Sequence, residues 1–172
     1  MNTGQMMLSM GAMMLLSFLI LRFNSVQLTS AQASYNAKFG IVATSLASSM
    51  LEEAKDNVFD EIVLDTTKQI TSASELSTTL GPDAGEVYPN FDDFDDYNGL
   101  VYIDSLSLRN PQTGAPTKFE IRSKVEYVND LSPDIKSNIN TYHKKITVSV
   151  TSSAMIDTVR LASIFSYWHL LE

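Results

Sequence analysis

Cysteine is absent from this chain, so no disulfide forms and no thiolate is offered to a substrate or a metal. Basic residues are scarce. Twelve Lys and Arg stand against twenty Asp and Glu, a formal net charge of −8. An acidic surface repels phosphate backbones, which excludes nucleic acid as an expected partner. The glycines are scattered, and there is no phosphate-cradling Gly loop, no Gly-x-Ser-x-Gly and no His-Glu-x-x-His. The two histidines, His143 and His169, show no metal-ligand spacing and read as ordinary surface or packed side chains. Nothing in the residues calls for an enzyme.

Charge is also missing locally. No residue from Met6 to Leu21 is charged, and between Arg22 and Glu52 the only charged side chain is Lys38. A helix facing water over that length carries charge on one face, so this one is expected to bury most of its circumference in lipid or in other copies of itself. Sixteen uncharged residues make about 24 Å of helix, against roughly 30 Å of bilayer hydrocarbon. Extension back to Gly4 and snorkelling by Arg22 narrow the difference. No Lys or Arg precedes the run, so the basic region of a cleaved secretory signal is missing and retention as an anchor is expected. The methionines Met1, Met6, Met7, Met10, Met13 and Met14 read as flexible packing surface.

The helical pattern continues past the anchor. Leu28, Ala31, Tyr35, Phe39, Val42, Leu46 and Met50 form one stripe, among small and polar residues that let helices approach closely. A helix over about 5–57 would span about 80 Å. One domain of this size cannot bury that length, so the N-terminal half is expected to protrude. Residues 58–99 contain Gly81-Pro82, Gly85 and Pro89 and read as an irregular connection, with a short regular piece near Ser74–Leu80.

From Leu100 the period becomes two. Strands are expected at Leu100–Leu108, Lys118–Val128, Tyr142–Ser152 and Thr158–Trp168. In the second, Phe119, Ile121, Val125 and Tyr127 face one way and Glu120, Arg122, Lys124 and Glu126 the other. Ile146, Val148 and Val150 point inward from the third, and the fourth is apolar on both faces. Short connections favour an antiparallel meander. The expected fold is α+β, a long N-terminal helix whose C-terminal half packs on a four-stranded antiparallel sheet. Its parts are an apolar membrane and assembly segment (1–27), an amphipathic continuation (28–57), the connecting loop (58–99) and the sheet (100–172).

This order of elements resembles the type IV pilins and pseudopilins. The resemblance covers the whole chain as architecture, and its sequence-specific part is the first 25 or so residues. It implies a precursor with a short leader ending in Gly, and an acidic residue at the fifth mature position. If Gly4 ends the leader, Gln5 is the first mature residue and the acidic slot falls on Ser9. If Met1 is the first mature residue, the slot falls on Gln5. Neither is Glu, and the helix-softening Pro of many members is absent, with Arg22 near its place. The family implies a structural subunit of an extracellular filament, held in the inner membrane before assembly and built into a homopolymer by helix packing. Other pilin-like subunits and inner-membrane machinery would be its partners. The packing would involve Gln5, Ser9, Gly11, Ala12, Ser17, Leu28, Ala31, Tyr35, Phe39 and Val42. The alternatives are a membrane-anchored extracytoplasmic binding or adhesion domain and a low-copy pseudopilin of a secretion system.

The run Phe91-Asp92-Asp93-Phe94-Asp95-Asp96-Tyr97-Asn98-Gly99 is similar to acidic-aromatic segments of some minor pilins of the mannose-sensitive haemagglutinin kind. No Lys or Arg occurs between Lys68 and Arg109. Three readings are open for it. It is a solvated acidic turn with Phe91, Phe94 and Tyr97 packed beneath, or a calcium site using Asp92, Asp93, Asp95 and Asp96, or a contact for a basic patch on a neighbouring subunit.

Overall fold

In the computed structural model the described residues are 2–64, 67–110 and 113–167. Helix α1 runs over Thr3–Asp56 and a short α2 over Glu61–Leu64. Single 3-10 turns follow at Ala73–Glu75 and Asp95–Tyr97. The sheet consists of β1 (Val101–Arg109), β2 (Pro116–Tyr127), β3 (His143–Ser152) and β4 (Val159–Ser166). Every neighbouring pair is antiparallel and the order is β1-β2-β3-β4, the expected meander. The fold is α+β. Strand ends agree with the sequence reading to within two residues. Trp168 and His169 lie outside the described residues.

Two compact units divide the chain, Met1–Lys38 and Phe39–Glu172. In the first, the described residues are exposed apart from the half-buried Asn36. Ser9, Ser17 and Thr29 return their hydroxyls to the carbonyls of Met6, Met13 and Ser25 at 2.9–3.0 Å. This satisfies the polar side chains within the helix itself, which a hydrocarbon surrounding would require. The Arg22 guanidinium lies 5.2 Å from the centre of the Phe18 ring, one turn back. The helix is long and apolar enough near its start to cross a membrane.

The second unit has one core. From α1 it takes Phe39, Ala43, Ala47, Met50 and Ala54. The sequence stripe follows the large residues Phe39, Val42, Leu46 and Met50. The buried line instead passes through three alanines, with Val42 and Leu46 half-buried at its side. Methyl-sized side chains at the centre let a helix lie close on a sheet, with larger ones flanking it. Phe119, Ile121, Val125 and Tyr127 of β2 and Ile146, Val148 and Val150 of β3 meet it. Phe39 packs against Phe119 with ring centres 6.3 Å apart and planes tilted by 53°. β4 departs from expectation. One face packs, with Phe165 buried and Val159 and Leu161 half-buried, and Ile164 remains 41% exposed on the other, as suits an edge strand with one packed side.

The connection 58–99 is ordered by specific bonds. Asn98 donates to the Leu80 carbonyl at 2.9 Å and accepts from the Val125 amide at 3.0 Å. Gly99 follows at φ +83° and turns the chain into β1. That conformation at the third turn position is one that glycine adopts without steric cost.

Candidate functional site

Two features set this molecule apart from an ordinary packed domain. One is the exposed apolar helix surface from Met6 to Leu28, where every large apolar residue is more than half exposed. The other is a cluster of charge buried in the second unit.

The cluster begins with a local pairing. Val58 and Asp93 form an isolated parallel bridge, with Phe94 donating to the Val58 carbonyl at 2.9 Å. Asp60 and Asp95 each lie two residues past it, so the pairing delivers two carboxylates to one place. Asp93 then caps the 3-10 turn by accepting the amides of Asp95 (2.7 Å) and Asp96 (3.1 Å). Asp96 accepts those of Asp92 (3.2 Å) and Asp93 (3.3 Å).

Lys144 comes from the opposite side. On β3 it shares the inward face with Ile146, Val148 and Val150 and has no exposed surface. Its Nζ donates to the Phe59 carbonyl and to Asp60 Oδ2, both at 2.8 Å, and to Asp95 Oδ1 in a very short contact. The Phe59 and Tyr127 rings enclose the nitrogen at 4.6 and 5.4 Å from their centres. Asp60 also accepts the Ser77 hydroxyl at 2.7 Å and the Ser77 amide at 3.1 Å.

One ammonium balances one carboxylate in such a site, and the two aspartates divide accordingly. Burial works to raise the Asp60 carboxyl, but Lys144 and Ser77 together outweigh it and hold the group below its ordinary value. Asp95 is pushed up to about 8, by burial first and by the neighbouring Asp93 and Asp60, against the pull of Lys144. Burial likewise raises Asp93 and Asp96. These surroundings favour the charged form of Asp60 and the neutral form of Asp95.

The acidic segment is therefore not a solvated turn. Asp93, Asp95 and Asp96 are buried, with Phe94 and Tyr97 packed as expected and Phe91 partly covered. Tyr97 donates to Glu53 of α1 at 2.9 Å. Of the four expected calcium ligands, Asp95 faces Lys144, while Asp93 and Asp96 serve backbone amides. Only Asp92 belongs to the set of carboxylates that lie within 4.8 Å of one another on the surface, with Glu61 and Glu86. Burial and then Asp92 and Asp83 raise the carboxyl of Glu61.

The helix residues expected at an assembly interface separate into two groups. Gln5, Ser9, Gly11, Ala12, Ser17, Leu28, Ala31 and Tyr35 are exposed, as is Gly4. Phe39 is buried in the chain's own core and Val42 packs against it, so both serve the fold instead. His143 shares a 2.7 Å hydrogen bond with Ser166 and stands 3.8 Å from Asp130. Sequence reasoning missed Lys144. Extending the period-two pattern of β3 back from Ile146 marks it as inward-facing. Nothing local pairs it with Asp60 and Asp95, which are 84 and 49 residues away.

No family model, curated protein or solved structure matches the chain.

Proposed function

We propose that this chain is the structural subunit of a pilin-like extracellular filament, held in the inner membrane by residues 5–22 until it is assembled. The observation that carries this reading is the uncharged, exposed helical surface from Met6 to Leu21, followed by a continuation to Lys38 whose one other charge is Arg22. Left in water, that surface is an association hazard. Lipid covers its first part before assembly, and neighbouring helices cover all of it afterwards. Moving from lipid to helix is close to neutral in hydrophobic energy, so close packing at Ser9, Gly11, Ala12 and Ser17 selects the register. Head-to-tail contacts of this type do not close and generate a helical polymer. The acidic domain coats the outside, and no outside substrate is turned over.

The test is electron microscopy of material sheared from cells, with the recovered chain identified by mass spectrometry. Thin filaments containing this chain are the expected result, and its first residue, Met1 or Gln5, reports the processing. The Ala31→Asp change, on the exposed part of the helix, abolishes filaments while the domain melts as before. Filaments that form normally with Asp at 31 overturn the buried-helix assembly. Recovery only as a membrane-bound monomer assigns the chain to the alternative, an anchored binding or adhesion domain or a low-copy pseudopilin.

A further inference from the structure

We propose that Lys144 and Asp95 condense within the folded chain to an isopeptide bond between Lys144 Nζ and Asp95 Cγ, with Asp60 as the proton-transferring group. Four observations place the reactants. The nitrogen already touches the Asp95 carboxyl. It is bonded on another side to a second carboxylate, Asp60, at 2.8 Å. The Phe59 carbonyl, also at 2.8 Å, fixes the direction of a further N–H. Phe59 and Tyr127 cover the nitrogen, and Lys144 has no exposed surface. Reacting groups held in contact this way have effective concentrations of order 10⁵–10⁸ M, which offsets the preference of water for hydrolysis.

The two aspartates are not interchangeable. Against burial, Lys144 and then Ser77, through both its hydroxyl and its amide, hold Asp60 below its ordinary value, which keeps it an anion and a poor electrophile. Among the described residues the Asp95 carboxyl has Lys144 as its one side-chain hydrogen-bond partner. Burial first, and the neighbouring Asp93 and Asp60, raise its pKa and favour the neutral acid, the form an amine attacks.

The atoms balance without an oxidant or reductant. A proton passes from the Lys144 ammonium to the Asp60 carboxylate bonded to it, leaving a neutral amine beside the Asp95 carboxylic acid. The nitrogen lone pair attacks Cγ, the N–C bond forms, and the carbonyl π pair moves onto oxygen. Asp60 delivers its proton to the departing Asp95 hydroxyl and takes one from the now cationic nitrogen. The C–O bond breaks, the carbonyl re-forms and one water leaves. The product is a neutral amide in place of a buried ion pair, in a chain that has no cysteine for any other covalent link.

Tandem mass spectrometry of a tryptic digest of the folded full-length chain decides the matter. The expected species joins the peptide 69–109 to the one containing Lys144, and its mass is lower than the sum of the two by one water, about 18 Da. Lys144→Arg and Asp95→Ala lack it. Asp60→Ala keeps both reacting residues and accumulates the unjoined peptides. Unjoined peptides from the folded parent chain, with cleavage after Lys144 and no loss of water, overturn the proposal whether or not any variant folds. A link from Lys144 to Asp60 overturns the assignment of Asp95 as the acceptor. An unlinked Asp60→Ala that joins as fast as the parent removes Asp60 from the reaction.

Discussion

A lysine with no exposed surface must have its charge met entirely by protein atoms, and Lys144 is met by Asp60, Asp95 and the Phe59 carbonyl. Removing one partner of a buried pair strands the other. Lys144→Met is therefore expected to cost about 3–5 kcal/mol, read as a lower denaturant midpoint, and adding Asp60→Asn to it should recover part of the loss. On the surface the same logic runs in reverse. The raised carboxyl of Glu61 stabilises the fold fully below the ordinary Glu range, and that contribution is lost as pH climbs through the raised value. Glu61→Gln should thus gain a few tenths of a kcal/mol, about 0.3, at neutral pH in low salt. The gain should vanish below about pH 4 and in concentrated salt. Thermal melting of the pair of proteins across pH and ionic strength checks both limits. At this scale the sequence was only partly readable. Period two marks Lys144 as inward, and the aromatics of 91–97 mark a packed turn. The burial of Asp93, Asp95 and Asp96 could not be read, because it depends on the Val58–Asp93 bridge and on a lysine from a distant strand.

At the level of elements, periodicity carried the reading. Strands with one buried and one wet face declare themselves, and β2 and β3 do so almost residue by residue. The helix boundary was equally plain, because Glu52, Glu53, Lys55 and Asp56 restore charge just before its end at Asp56. What misled was size. A stripe drawn through the large side chains of α1 misses Ala43, Ala47 and Ala54, which have no exposed surface at all. Small side chains carry little hydropathy signal, yet they set the spacing of helix and sheet. Ala47→Leu is expected to destabilise the domain by about 1–3 kcal/mol through overpacking, measured by equilibrium unfolding. Ala31→Leu, on the exposed part of the same helix, should leave the melting of the domain unchanged. The two-sided apolar composition of β4 was likewise misleading, since an edge strand leaves residues such as Ile164 in the open.

For the whole molecule, the two units have opposite surfaces. Met1–Lys38 presents apolar side chains with Arg22 and Lys38 as its two charges, whereas Phe39–Glu172 holds all twenty Asp and Glu. A chain beginning at Phe39 keeps every core residue. It should therefore fold and sediment as a monomer without detergent. The full-length chain should instead partition into detergent or lipid, or sediment as large assemblies when these are withdrawn. Analytical ultracentrifugation of the two forms tests this directly. A full-length chain that stays monomeric in plain buffer would remove the basis of the filament reading.

The position of Asp60 has a mechanical side. Tension carried along α1 is met first by its packed face and, past Asp56, by Val58, Phe59 and Asp60. Val58 is bridged to Asp93, while the Phe59 carbonyl and the Asp60 carboxylate are held by Lys144. These attachments lie along three consecutive residues. Their anchor, β3, is flanked by β2 and β4. Strain that reaches Asp60 is shared between an interior strand of the sheet, through Lys144, and the connecting loop, through Ser77.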